Sequence, residues 1–145
     1  MRSVSRTALV PYTAARMYAL VDDVEAYPEF LPWCSGAEVL ERSDAHVVAR
    51  VDMRRAGLTR SFTTRNSLEP GESISLELVG GPFSHLSGDW TFEPLGDAGS
   101  KVTLKLEFDF ESRALDALLG LFFEDTLNSM VDAFTRRAAQ VYGEG

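Results

Sequence analysis

KVTLKLEFDFESRALDALLGLFFEDTLNSMVDAFTRRAAQVYG, residues 101–143, changes its hydrophobic period halfway along. Its first ten residues set Val102, Leu104, Leu106, Phe108 and Phe110 on one face and Lys101, Thr103, Lys105, Glu107 and Asp109 on the other. Strict alternation of this kind predicts a strand buried on one side and wet on the other. From Ser112 onward the spacing becomes three or four: Leu119, Phe123, Leu127, Met130, Phe134 and Val141. That spacing predicts a helix with one apolar stripe, with Arg136 and Arg137 placed where cations suit the helix dipole and Gly143 as a natural stop. About 30 residues at 1.5 Å each make it some 45 Å long.

The sequence upstream reads as more strands. Ala37–Glu41, His46–Arg54, Leu58–Leu68, the period-two run Ile74, Leu76 and Leu78, and Phe83–Phe92 are separated by Ser43-Asp44, Ala56-Gly57, Pro70-Gly71 and Gly80-Gly81-Pro82. In the last of these, Leu86, Gly88, Trp90 and Phe92 share a face, and residues 94–100 join it to the next strand as a hairpin. At the start, Val4, Ala8 and Val10 mark a first strand ended by Pro11, with Leu9 out of pattern. Thr13 then caps a short helix whose apolar positions are Met17, Leu20 and Val21, and a further helical turn at Val24–Tyr27 is stopped by Pro28. The expected order is strand, one or two short helices, six strands, long helix. This is an α+β fold: short connections make the strands antiparallel, and the long helix lies across the concave face of a curved sheet.

Several function classes drop out on composition. A chain of 145 residues fits one domain, 1–145, with one core. The lone cysteine, Cys34, cannot form an intrachain disulfide, and with only His46 and His85 beside it no metal-ligand spacing arises. Cys34 reads as a small buried hydrophobe and both histidines as surface residues. No run reaches the 18 or so apolar residues of a membrane span, and no signal-peptide core follows Arg2 and Arg6, so a cytoplasmic, reducing location is expected. Catalysis would need a nucleophile with its base, paired carboxylates in a cleft, or a metal. None has supporting spacing, and Asp22-Asp23 and Glu124-Asp125 read as solvated helix faces. The expectation is therefore a binding protein with no catalytic residue, no metal and no required cofactor.

The formal net charge is −8, unfavourable for nucleic acid, and no DNA partner is expected. The window from Arg50 to Arg65 is an exception. It holds Arg50, Arg54, Arg55, Arg60 and Arg65 against Asp52, a local net of +4 with −12 elsewhere. With screening over about 8 Å at physiological salt, such a hairpin can act locally as an RNA contact. The simpler reading, and the favoured one from the residues alone, is a solvated outer face whose arginines pair with nearby acids.

Four ordered segments, VDDVEAYPEFLPWC, SFTTRN, GPFSHLSGDWTFEPL and MVDAFTRRAAQVYG, together resemble the START-like (helix-grip) superfamily, in the branch holding coenzyme Q-binding proteins and bacterial ribosome association toxins, often labelled polyketide cyclase-like. The resemblance spans nearly the whole chain. It implies a seven-stranded antiparallel sheet wrapped around the C-terminal helix, with an apolar cavity between them. It also implies a hydrophobic ligand, ubiquinone or a related prenylated quinone in the respiratory branch, with transient membrane contact for its exchange. The toxin branch implies binding to the large ribosomal subunit that hinders subunit joining. The quinone carrier is the leading expectation, the ribosome-binding toxin the alternative, and a cyclase-like enzyme the third.

Within that fold AYPEFLPWC, residues 26–34, lies beside one open end of the cavity, its prolines expected to hold the backbone extended. Tyr27, Phe30, Leu31 and Trp33 form either a mouth or a plug. Leu86, Trp90, Leu106, Phe108, Phe123, Leu127 and Met130 are the remaining candidate cavity residues, each of which taken singly reads more readily as plain core than as a ligand contact. Met130 stands out because an adaptable thioether suits a ligand of imprecise shape.

Overall fold

The computed structural model describes residues 1–143. In chain order it has β1 (Arg2–Val10), α1 (Ala14–Asp22), a 3₁₀ helix (Val24–Glu29), β2 (Cys34–Arg42), β3 (His46–Arg55), β4 (Leu58–Glu69), β5 (Ser73–Gly80), β6 (Phe83–Pro94), β7 (Ser100–Phe110) and α2 (Arg113–Tyr142). The strands form one sheet in the order β1-β7-β6-β5-β4-β3-β2, with each neighbouring pair antiparallel. Helix-grip architecture follows. Consecutive strands from β2 to β7 are neighbours, and the α1–3₁₀ segment carries the chain from one sheet edge to the other.

Local chemistry explains the joints. Ala56 and Gly57 both have positive φ, 48° and 84°, as a two-residue hairpin turn matched to strand twist requires. Thr13 accepts a hydrogen bond from the backbone N–H of Arg16 at the start of α1, and Ser112 does the same for Leu115 at the start of α2. On β6, an irregularity between Phe83 and His85 turns Phe83 inward with Leu86, Trp90 and Phe92.

Two expectations need correction. The segment around Pro28 is not extended: Pro28 sits inside the 3₁₀ helix. Ala26 N–H bonds to the Asp23 carbonyl and Phe30 N–H to that of Tyr27, so Pro28 opens a new turn at a position that needs no donor. Val141 is exposed, and the buried face of α2 instead continues from Phe134 to Ala138 four residues on.

α2 packs against β1, β7 and α1. Arg2 on β1 secures it with Nε and Nη2 donating to Asp116 at 2.9 and 3.1 Å and Nη1 donating to Glu124 at 3.3 Å. Residues 116, 120 and 124 follow the four-residue spacing of one helix face, and Gly120 leaves the space in which the guanidinium lies: a Cβ there would meet Arg2 Nε at 2.6 Å. The pair holds Asp116 below the usual carboxylate range, chiefly through the Arg2 hydrogen bond. Glu124 and Asp22, expected to be merely solvated, thus have arginine partners, Arg2 and Arg42.

Gly88 marks where β6 and β7 approach closely. A Cβ there would lie 2.1 Å from the Lys105 carbonyl oxygen and 2.7 Å from the Leu106 Cα, both backbone atoms that cannot swing aside. Gly88→Ala should therefore lower stability by about 1–3 kcal/mol, as overpacking does. Thermal unfolding checks this; an unchanged midpoint would show that the strands can separate at that point without cost.

Candidate functional site

The concave face of the sheet and α2 enclose a predominantly apolar cavity with about 690 Å³ of atom-free space, counting its open mouth. The sheet contributes Ala49 and Val51 from β3, Phe62, Thr64 and Asn66 from β4, Ile74 and Leu76 from β5, Leu86 and Trp90 from β6, and Leu104 and Leu106 from β7. Phe123, Leu127 and Met130 face them from α2, while Val21, Val24, Tyr27 and Trp33 close the side towards the short helices. Among the described residues no ionisable side chain other than the Tyr27 phenol lines the space.

Of the eleven candidate cavity residues, Tyr27, Trp33, Leu86, Trp90, Leu106, Phe123, Leu127 and Met130 line it. Phe30, Leu31 and Phe108 do not. Phe30 packs edge-on against Phe134 at 5.1 Å, under the Arg137 guanidinium. Leu31 is buried in the core. Phe108, fully buried, belongs to an aromatic cluster, 4.9 Å from Phe123 and 6.1 Å from Phe83, which fills the space between β6, β7 and α2. The AYPEFLPWC segment is thus both wall and plug: Tyr27 and Trp33 border the cavity while Phe30 and Leu31 pack behind it. Alternation along the strand cannot distinguish Phe108 from Leu106, because both point inward and only the course of α2 decides which is covered.

The polar wall residues Thr64 and Asn66 were not singled out from the sequence. Both are buried, and the Thr64 hydroxyl donates to Asn66 Oδ1 at 2.8 Å. The available signal was SFTTRN itself: polar residues at the inward positions of a strand whose neighbours there are apolar. The Tyr27 hydroxyl donates to the Val21 carbonyl, and burial raises its pKa. Burial pushes the Cys34 thiol up to about 11, and its Sγ contacts the Gly36 carbonyl at 3.2 Å. It is therefore a poor nucleophile at neutral pH. Among the described residues no three His, Cys, Asp or Glu side chains gather as a metal site, and no helix is long and apolar enough to cross a membrane.

The arginine hairpin is less uniform than its charge count implies. Arg50 is held on the convex face by Glu38, its register partner on β2, at 2.8 Å and by Asp52, two residues along β3 itself, at 3.0 Å. Asp52 also accepts from the Ser61 hydroxyl at 2.6 Å. Arg54 and Arg65 are exposed on that face, while Arg55 and Arg60 have the inward parity at the hairpin tip. Arg55 lies 4.8 Å over the Phe122 ring of α2, and Arg60 bonds the Thr59 carbonyl. The available positive charge is therefore concentrated at the tip, in Arg54, Arg55 and Arg60, with Arg65 further along the strand.

A curved antiparallel sheet closed on one long helix around an apolar cavity defines the START-like class. A START superfamily protein from Mycobacterium smegmatis superposes with a TM-score of 0.79 at 24% identity, over 96% of this chain and 98% of that one. The chain belongs to the family described as polyketide cyclase / dehydrase and lipid transport, whose profile matches residues 10–135. It is 54% identical over 144 residues to the ribosome association toxin RatA of Vibrio cholerae, covering 99% of this chain and 100% of that protein. It is 28% identical to the mitochondrial coenzyme Q-binding protein COQ10 homolog B of Xenopus laevis, over 96% of this chain and 59% of that one. An 18 kDa protein from Caulobacter crescentus, solved in solution, is 34% identical with a TM-score of 0.76 over 99% of both chains.

Asp52 gives the hairpin a pH signature. The Ser61 hydrogen bond, and after it Arg50, hold its carboxyl below the ordinary value, so its contribution to stability is present above about pH 3.9 and lost as pH falls through the lowered folded pKa. The stability advantage of the parent over Asp52→Asn should accordingly shrink between pH 5 and about pH 3. Urea unfolding across that range measures it; a difference that stays constant would remove Asp52 as the titrating anchor.

Proposed function

We propose that this protein acts as a RatA-type ribosome association factor, binding the large ribosomal subunit and hindering subunit joining. The observation that carries this reading is the 54% identity to the Vibrio cholerae toxin over the full length of both chains. The role proposed is binding, with no catalytic step. The hairpin tip supports it physically: Arg54, Arg55 and Arg60 gather at one exposed end of an otherwise acidic molecule, where guanidinium groups can meet RNA phosphates. Arg50 is left out of that set because Glu38 and Asp52 already hold it.

A second reading, a carrier of ubiquinone or a related prenylated quinone, draws on the apolar cavity and on the resemblance to the Xenopus coenzyme Q-binding protein. It ranks below the first because the relatives with higher identity bear the ribosome association name. The two are compatible on one molecule, since the hairpin tip and the cavity are different surfaces. Met130 of α2 and Leu106 of β7 both line the cavity. If a quinone occupies the cavity, folded Met130→Gln and Leu106→Asn variants should retain less of it after purification, as quantified by mass spectrometry of organic extracts. Unchanged retention would place the quinone elsewhere.

For the ribosome reading, cosedimentation with purified large subunits over a salt series is the test. Binding should weaken steeply with salt, and Arg54→Ala with Arg55→Ala should flatten the log–log slope by roughly 0.7–0.9 for each arginine–phosphate pair removed. Binding that ignores salt, or survives the double change intact, would remove the hairpin; no cosedimentation at low salt would remove the ribosome reading.

A further inference from the structure

The cavity wall has one pair of wholly polar side chains. On β4, Thr64 and Asn66 occupy inward positions between apolar neighbours, each 7% exposed, and face Phe123, Leu127 and Met130 across the cavity. The Thr64 hydroxyl donates to Asn66 Oδ1, and with the amide so placed its nitrogen is the end left over. Among the described residues, Asn66 Nδ2 has no acceptor, yet it is not a sealed, unsatisfied atom either. Its two hydrogens are therefore available to whatever enters the cavity. The Trp90 indole N–H, on the same concave face, likewise has no acceptor among the described residues.

An amide set against an apolar wall gains nothing from its surroundings that an apolar side chain at position 66 would not gain without needing a partner. A filler of core space would not need two polar residues there. No lysine, arginine or histidine lines the cavity to neutralise an anion. Desolvating a carboxylate or phosphate in such a space would cost far more than two neutral N–H groups return.

We propose that Asn66, oriented by Thr64, is the recognition point of the cavity, selecting an uncharged ligand that presents a carbonyl-type oxygen acceptor on an otherwise apolar body. The inference rests on the cavity holding a ligand and does not depend on the ribosome reading. The acceptor would sit against β4 and the apolar body against α2. Ketones, quinones and esters fit this chemistry, whereas fatty-acid anions and phosphorylated lipids do not.

A set of matched probes tests it by equilibrium dialysis: 2-acetylnaphthalene, 2-ethylnaphthalene and 2-naphthoate, which share a ring system but carry a neutral carbonyl, no acceptor, and an anion. The readout is the ratio of ketone to hydrocarbon affinity, because the hydrocarbon is favoured by hydrophobicity alone. That ratio should fall about tenfold in Asn66→Leu relative to the parent, and the anion should bind the parent at least about tenfold more weakly than the ketone. Thr64→Val, which frees the amide to rotate, should lower the ratio by a smaller factor and provides the readout if Asn66→Leu does not fold. A ratio unchanged in the folded variants, or an anion that binds as well as the ketone, overturns the inference while leaving the cavity as an apolar site. Failure of all three probes to bind the parent overturns both.

Discussion

A helix about 10–12 Å across cannot cover a seven-stranded sheet whose six inter-strand spacings add up to about 29 Å. That mismatch governs the molecule. α2 is drawn to one side, where Arg2 spans Asp116 and Glu124 and where Val102 and Phe108 of β7 are fully buried beneath the helices. The inner face of β3, β4 and β5 stands farther from the helix, and the apolar side chains on both sides border the cavity. Large aromatics stop the gap from collapsing or flooding: Phe62, Phe83 and Phe123 fill one part, and Tyr27, Trp90 and Phe134 another. The cavity is therefore a consequence of covering a wide concave sheet with one helix, and its lining is core chemistry reused.

The same geometry separates two surfaces with opposite character. Inside, among the described residues, the walls carry no charged side chain, and their polar groups are the Thr64–Asn66 pair, the Tyr27 hydroxyl and the Trp90 N–H. Outside, the β3–β4 hairpin projects with its arginines, and the register of β2, β3 and β4 sorts them: directly opposed strand positions bring Glu38 to Arg50 and Ser61 to Asp52, fixing that end as a structural network, while the tip stays free of acids. Exposed ion pairs of this kind add little stability individually, so the network acts mainly by removing Arg50 from the charge available to a partner. Arg55 adds a link between the hairpin and α2 through the Phe122 ring, beside the Phe62–Phe123 contact that joins β4 to the same helix.

Much of this was legible from the residues. The alternation from Lys101 to Phe110 and the change of period after Ser112 specify a one-sided strand followed by an amphipathic helix, because side-chain direction repeats every two residues in one and every 3.6 in the other. Turn residues then placed the remaining strands, with β2 and β3 extending a little further than their clearest alternation. Pro28 was harder to read, since a proline ends one turn or opens the next depending on which carbonyl lies three residues back, and only the 3₁₀ geometry shows that. Val141 was misplaced for a different reason: it keeps nearly the angular position of Phe134, but it lies in the last turn of α2, beyond Ala138 where burial ends.

What the sequence by itself determined is the identity and order of the elements, the face of each strand that turns inward, the acidic character of the surface and the position of its basic exception. Those properties are local, set by backbone periodicity, turn chemistry and composition. The tertiary structure alone decided which inward residues meet open space and which meet a neighbour. Leu106 and Phe108 are indistinguishable by pattern, yet one borders the cavity and the other packs against Phe123. It also decided that Thr64 and Asn66 face the cavity and that Arg50 is already held. Each of those outcomes depends on where a distant strand or helix lies, and period-two or period-3.6 patterning carries no record of distance between elements.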